Sequence, residues 1–201
     1  MKKKALEILL QKIPSPQQTN PALEQYITPA TIAADILYFA YSLHNIKDKT
    51  IIDLGCGTGI FSIGAALLKA KQVIGVDVDK QLLEIASTFA NKHNLVIEFL
   101  EQEVNVVDFR CDTVLMNPPF GAQKQNKNAD RVFLQKACEI SQIVYSLHLT
   151  KTLPFLQKLI NSLGGEITHH KKYSFPIKGS FFFHKSEVKN FSVSLLRIKT
   201  K

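Results

Sequence analysis

Apolar positions recur along this chain at two periods, and the change from one to the other divides it. Leu6, Leu9, Leu10 and Ile13 fall at helical spacing, which predicts an amphipathic helix over about residues 3–13 that stops before Pro14. Residues 14–21, bounded by prolines and rich in Gln, Ser, Thr and Asn, read as an irregular connector. Thr28 is placed to cap a second helix, begun by Pro29 and running through Ala33, Ile36, Leu37 and Ala40. Residues 45–49 break it.

From Thr50 onward, short β-branched apolar runs alternate with helical patterns. Strands are expected over 50–54, 72–77, 95–100, 113–116 and 140–147, and helices over 61–68, 80–92, from Asp130 through Phe133, Leu134 and Ala137, and over 152–163, where Gly164-Gly165 stops the last. The stretch 122–129 is polar, carries lysines and reads as a mobile loop. Two final strands, 166–173 and 191–199, form a hairpin around 176–186. Strand–helix alternation of this kind marks an α/β fold, a doubly wound parallel sheet. No internal repeat or domain boundary interrupts it, so residues 1–201 read as one domain, a helical extension (1–48) on an α/β core (49–201).

Composition narrows the class. A hydrophobic fraction of 45% with 21% charged residues is that of a globular protein. No apolar run is long enough to span a bilayer, and the lysines at the start lead into an amphipathic pattern rather than a signal peptide, so a cytoplasmic protein is expected. Cys56, Cys111 and Cys138 are too scattered for a disulfide framework, and no Cys or His pair has zinc-ligand spacing, so no metal is expected. Charge is informative through its placement. Residues 1–150 hold fifteen Lys/Arg against fifteen Asp/Glu, whereas from Lys151 onward there are ten against only Glu166 and Glu187. The whole excess of +8 is C-terminal, a distribution suited to a polyanion such as RNA or DNA, or simply to a solvated lysine-rich face.

Two stretches carry candidate chemistry. The apolar run Ile51-Ile52-Asp53-Leu54 enters Gly55-Cys56-Gly57-Thr58-Gly59 and then a helix. Glycines there permit positive φ and close approach of a ligand to the backbone. About 20 residues on, a second strand ends in Asp77, placed to take the hydroxyls of a ribose. An acid at Asp53, directly before the glycines, does not suit a pyrophosphate. It suits a cationic ligand, and S-adenosyl-L-methionine carries both an ammonium and a sulfonium. Glu103 is placed to accept from an adenine amino group, or is an ordinary acid on a polar strand end. The segment Gln25-Tyr26-Ile27-Thr28 either closes over the methionine moiety or is a helix entry with a packed tyrosine.

The other stretch is Asn117-Pro118-Pro119-Phe120, at the end of the strand ending in Met116. Proline cannot continue a ladder and holds the residue before it extended, so the loop has a fixed shape. The Asn117 side-chain oxygen and the Pro118 carbonyl are then available to accept from one –NH2 group, and Phe120 offers a flat face for stacking. The bland alternative is a proline-terminated strand with a packed phenylalanine.

With both stretches in place, the chain resembles the class I S-adenosylmethionine-dependent methyltransferases that act on amino groups, with motif I at Asp53–Gly59 and motif IV at Asn117–Phe120. Leu23–Pro29, Val114–Gly121, Val144–His148 and Phe183–Lys185 further resemble the archaeal and eukaryotic enzymes that make N6-methyladenosine in small-subunit rRNA. This resemblance spans about Leu23 to Ile198 and implies a Rossmann-like seven-stranded sheet of order 3-2-1-4-5-7-6. It further implies catalysis at Asn117 through Phe120, and cofactor contacts at Gln25, Tyr26, Thr28, Asp53, Gly55, Gly57, Gly59, Asp77, Glu103 and Asn117. Many relatives carry Asp where this chain has Glu103. The same motif IV occurs in guanine-N2 and protein-glutamine enzymes, and DNA adenine is a further acceptor of the same kind. A catalytically inactive RNA-binding scaffold is a reading from another class, opposed by intact Asp53, Asp77, Asn117 and Phe120. His148 and His184 fall in family-like segments, with structural roles expected. Eukaryotic members are stabilised by a small zinc-binding activator protein that pairs with an edge strand. Here that strand would be Leu95–Leu100, made apolar by Val96, Ile97, Phe99 and Leu100, the alternative being that a loop or helix of the chain itself covers this edge.

Overall fold

The structure, a computed structural model, describes residues 1–16, 26–120, 129–178 and 188–200. Its centre is a seven-stranded sheet of order β3-β2-β1-β4-β5-β7-β6, formed by β1 (Thr50–Leu54), β2 (Gln72–Asp77), β3 (Glu98–Glu101), β4 (Cys111–Met116), β5 (Ser141–Leu149), β6 (Glu166–Lys178) and β7 (Val188–Lys199). Strands β1 to β5 run parallel, and β7 pairs antiparallel with both β5 and β6. This is the expected order. Helical crossovers join β1 to β2, β2 to β3 and β4 to β5 as α3 (Ile60–Leu67), α4 (Lys80–Lys92) and α5 (Ala129–Ile140). A 3-10 turn lies between β3 and β4, and α6 (Leu153–Ser162) links β5 to β6.

Two apolar layers cover the sheet. One joins α1 (Lys3–Leu10), α2 (Ala30–Ser42) and α3 through Leu6, Leu10, Leu37, Ile63 and Phe61 to one face. The other joins α5 and α6 through Leu134, Ala137, Leu156 and Ile160 to Ile52, Val114 and Val144 on the opposite face. The central strands are buried on both faces, which explains their unbroken apolar runs. Asp35 of α2 ties the helical extension to the core: Lys3 from α1 and Lys171 from β6 both pair with its carboxylate, and Tyr173 donates to it at 2.8 Å.

Local chemistry sets several element ends. Asp79 caps α4, accepting from Gln81 N at 3.0 Å and Leu82 N at 3.4 Å. Gly164, at φ +79°, closes the turn after α6. Thr28 is a correction. It does not cap α2; Pro29 is the N-cap, its carbonyl accepting from Ala33 N at 2.9 Å. The Thr28 hydroxyl is engaged elsewhere, as described below. A second correction concerns the third strand, which is Glu98–Glu101 rather than 95–100. It pairs with Ile74 to Asp77 of β2, and residues 95–97 approach outside the ladder, with Leu95 and Ile97 on the core and Val96 95% exposed. The last two strands are longer than expected, because their pairing continues from Glu166↔Lys199 to Lys178↔Val188. The connector beyond Pro16, the polar loop 121–128 and the hairpin tip 179–187 lie outside the described residues, as do Gln25 and His184.

Candidate active site

The carboxyl ends of β1, β2 and β4 converge on one rim of the sheet, where ligands of doubly wound folds bind. Three glycines build the loop after β1, with φ of +68° at Gly55, +54° at Gly57 and +79° at Gly59. A Cβ at Gly59 would sit 3.0 Å from that of Ala86 and one at Gly55 2.9 Å from the Phe133 ring, so contact and conformation both demand glycine. The loop is stitched to β2, since Gly55 N and Cys56 N donate to the Val76 carbonyl at 2.8 and 3.0 Å. Asp77, at the end of β2, accepts from Gly57 N at 2.7 Å through Oδ2 and from Asp79 N at 3.0 Å through Oδ1. Burial raises its pKa, and these backbone donors partly offset the rise.

A cavity of about 540 Å³ opens in front of this loop. It brings together Tyr26, Thr28, Gly55, Gly57, Asp77, Glu103, Asn117 and Pro119 of the expected residues. Asp53, Gly59, Pro118 and Phe120 stand behind that lining. Sequence reasoning missed Val78, Leu82, Gln102, Asn105, Val132 and Phe133, which supply much of the wall. Val78 was legible in hindsight as an apolar residue directly after the strand-end acid; α5 residues enter the wall only through packing.

Asn117 has the most telling geometry. Its Nδ2 donates to the Tyr26 carbonyl at 3.3 Å and to Thr28 Oγ1 at 3.1 Å. A carbonyl can only accept, so the amide orientation is fixed by its partners. Oδ1 is then the free end, buried and without a donor. An orphaned buried acceptor costs about 1–3 kcal/mol, a cost that a hydrogen-bond donor brought to it would relieve. Phe120 is 9% exposed, with Tyr26 stacked on it (centroids 5.7 Å apart, planes 18°) and Phe175 against its edge at 5.9 Å. Beside Asn117 the aromatic ring lining the cavity is therefore Tyr26, backed by Phe120, while Phe61 and Phe133 line it elsewhere.

Asp53 is the other orphan. It is 1% exposed, and its Oδ2 accepts from Ser62 N at 2.9 Å and Ser62 Oγ at 2.6 Å, while Oδ1 has no partner. Burial lifts its pKa to about 7, against the Ser62 hydrogen bonds. The free chain ionises this carboxyl near 4 and the folded chain near 7, so between those pH values folding takes up a proton. Stability of the cofactor-free protein should therefore fall by about 1.4 kcal/mol per pH unit from about pH 4 to 7 and level off above. Asp53→Asn should remove that component, as the difference between urea-unfolding curves of the two proteins at pH 5, 6, 7 and 8 would reveal. Parallel pH profiles would mean that Asp53 ionises normally.

Among the histidines, His148 is buried, its Nε2 2.7 Å from Ser146 Oγ, and burial depresses its pKa to about 3. It is a neutral core group. His169 packs edge-on against Phe39, and His170 meets Ser194 Oγ at 2.8 Å. Among the described residues no group of His, Cys, Asp and Glu is arranged to hold a metal, and no helix is long and apolar enough to cross a membrane.

The fold and this strand-end site are those of a nucleotide-cofactor transferase, and comparison with known proteins narrows the class. Residues 33–146 match the methyltransferase small domain family. The chain is 36% identical to the rRNA N(6)-adenosine-methyltransferase METTL5 of Danio rerio, covering 98% of both chains, and 34% identical to that of Drosophila melanogaster, covering 99% of this chain and 97% of the relative. A crystal structure of a putative RNA methyltransferase from Pyrococcus horikoshii superposes with a TM-score of 0.92 at 39% identity, over 100% of this chain and 98% of that one. The chain belongs to the methyltransferase small domain family and, within it, to the group that contains the METTL5 enzymes.

Proposed function

We propose that this protein transfers a methyl group from S-adenosyl-L-methionine to the N6 amino group of an unpaired or flipped adenine in RNA, in small-subunit ribosomal RNA. The observation that carries amino-group chemistry is the clamped Asn117 amide, with its acceptor end left free beside the cavity. Adenine as the acceptor base rests on whole-length likeness to the METTL5 enzymes.

The residues present fit the cofactor. Asp77 lines the cavity, the glycine loop admits close contact, and Asp53 leaves an unpartnered acceptor oxygen behind the loop, whose ionised form a cationic ligand would favour. Asp77 would hold the ribose, and Glu103 with Gln102 and Asn105 would face the adenine end. Tyr26 and Thr28, next to Asn117, would border the methionine end, with Gln25 adjoining them in sequence. When bound, the cofactor supplies an electrophilic methyl on sulfur.

The acceptor nitrogen is a poor nucleophile because its lone pair is delocalised into the purine ring. Asn117 Oδ1 and the Pro118 carbonyl each accept one of its hydrogens, drawing it toward tetrahedral geometry and freeing the lone pair. Positive charge grows on that nitrogen during transfer, and the fixed acceptor dipoles stabilise it without reorganising. Pro118 and Pro119 keep those acceptors in place. Phe120 holds Tyr26 against the catalytic loop, and that aromatic pair receives the base. The base must leave any helix to enter. No general base is needed, since the proton departs after transfer. Lysines of the C-terminal half, together with Lys124 and Lys127, would supply phosphate contacts that fix register without choosing the base.

A small zinc-binding activator protein is the partner we propose for the sheet edge. Strand β3 has no neighbour beyond it among the described residues, and Val96 beside it stands almost wholly in solvent.

The test incubates the protein with methyl-labelled S-adenosylmethionine and small-subunit rRNA, with a protein-substrate control, and identifies the product nucleoside by mass. N6-methyladenosine is expected. N2-methylguanosine or methylglutamine would overturn the substrate and leave the amino-group mechanism standing.

A further inference from the structure

Outside the cavity, the same rim carries an aromatic side chain that the reaction does not use. Phe155, in the first turn of α6, is exposed, and the Arg131 guanidinium, in the first turn of α5, lies over its ring at 4.5 Å. The two helices follow β4 and β5, so their N-terminal turns sit at the carboxyl ends of the strands, the edge where the cavity opens. Arg131 is next in sequence to Val132 and Phe133, which line the cavity. Lys151 and Lys158, four residues before and three after Phe155, are both exposed. On α6, Leu156 and Ile160 are buried, so Phe155 is not needed to complete the core on that face.

An exposed ring under a guanidinium, between lysines, is chemically suited to one class of partner. Nucleobases stack on phenylalanine and on guanidinium planes, and phosphates pair with the flanking cations. A peptide partner would not need the cations, and a lipid surface would not favour a single ring. The lysines belong to the C-terminal excess of positive charge, which makes the patch complementary to a polyanion.

We propose that Arg131 and Phe155, with Lys151 and Lys158, form a platform for a single-stranded RNA segment flanking the target nucleotide, stacking one neighbouring base and neutralising its phosphates. This deepens the RNA reading and rests on it. The platform sets affinity and the preference for unpaired flanks, and the Asn117 site performs the transfer.

The test measures binding of a fluorescently labelled single-stranded oligoribonucleotide containing one adenosine, by anisotropy, at several salt concentrations. Phe155→Ala is expected to weaken binding about 5- to 100-fold, the range for loss of one stacked base, and Phe155→Tyr to restore it. Arg131→Gln should weaken binding and flatten the salt dependence by about one counterion. An oligonucleotide with abasic residues on both sides of the adenosine should bind wild type as weakly as it binds Phe155→Ala. S-adenosylmethionine affinity and thermal midpoint should be the same in all variants. Binding within twofold of wild type for Phe155→Ala, a loss that Phe155→Tyr fails to restore, or a loss that tracks a lowered thermal midpoint would each overturn the platform. Product identity separates this from the functional reading: N6-methyladenosine formation with unaltered affinity removes only the platform. Stacking-dependent binding with another product removes only the adenine assignment.

Discussion

Asn117→Ala is expected to lower the rate of methyl transfer at saturating substrates at least about 100- to 1,000-fold, the loss seen when one preorganised transition-state partner is removed. Alanine deletes the orphaned Oδ1. It also frees the Tyr26 carbonyl and the Thr28 hydroxyl from their donor, so cofactor affinity should soften by a few fold and no more. Asn117→Asp makes the argument sharper. It keeps the buried acceptor oxygen but sets another against the Tyr26 carbonyl, so its rate should fall between wild type and alanine. Single-turnover kinetics beside cofactor titration separate the terms. A defect confined to cofactor affinity, with the rate intact, would place Asn117 in the cofactor pocket and take it off the amino group.

Asp77→Ala is the second large effect, and it should appear in the opposite parameter. The cofactor dissociation constant should rise at least about 100-fold, because hydrogen bonds to a charged partner contribute about 1.5–3 kcal/mol each. Part of that loss is local. Gly57 N and Asp79 N lose their acceptor, so the glycine loop is less well held. Asp77→Asn, which can still accept from Gly57 N, should recover a portion. At saturating cofactor the transfer rate should stay within tenfold, since Asp77 does not touch the acceptor nitrogen. Calorimetric titration with S-adenosylmethionine checks the first claim and single-turnover rates the second. Unchanged affinity in Asp77→Ala would mean that the ribose lies elsewhere.

The opposite behaviour expected of this acid and this amide follows from where each chain segment ends. Asp77 closes β2 and holds the loop that follows β1; Asn117 closes β4 and holds the segment that precedes α2. Neighbouring strands in register bring the two ends to one rim. Division of labour between cofactor and acceptor is thus a consequence of strand order.

Most of the framework was determined by the sequence alone. Helical and strand periods, the glycines at 55, 57 and 59, the acids at 53 and 77 and the proline pair after Asn117 are local signals, each acting on its own few residues of backbone. That is why β1, β2 and α4 were expected with the bounds they have, and why residues of both motifs line one cavity. Only the tertiary structure decided what those groups touch. Thr28 reads as a helix cap until its hydroxyl is found taken by a side chain 89 positions away, and Phe120 reads as a free stacking face until Tyr26 covers it. Asp53, expected at the ligand, proves to be buried behind the loop with its charge disfavoured. The third strand is short because residues 95–97 leave the ladder, Leu95 and Ile97 packing on the core instead of continuing along β2. Contacts between segments distant along the chain depend on how layers stack, and no pattern within either segment encodes them.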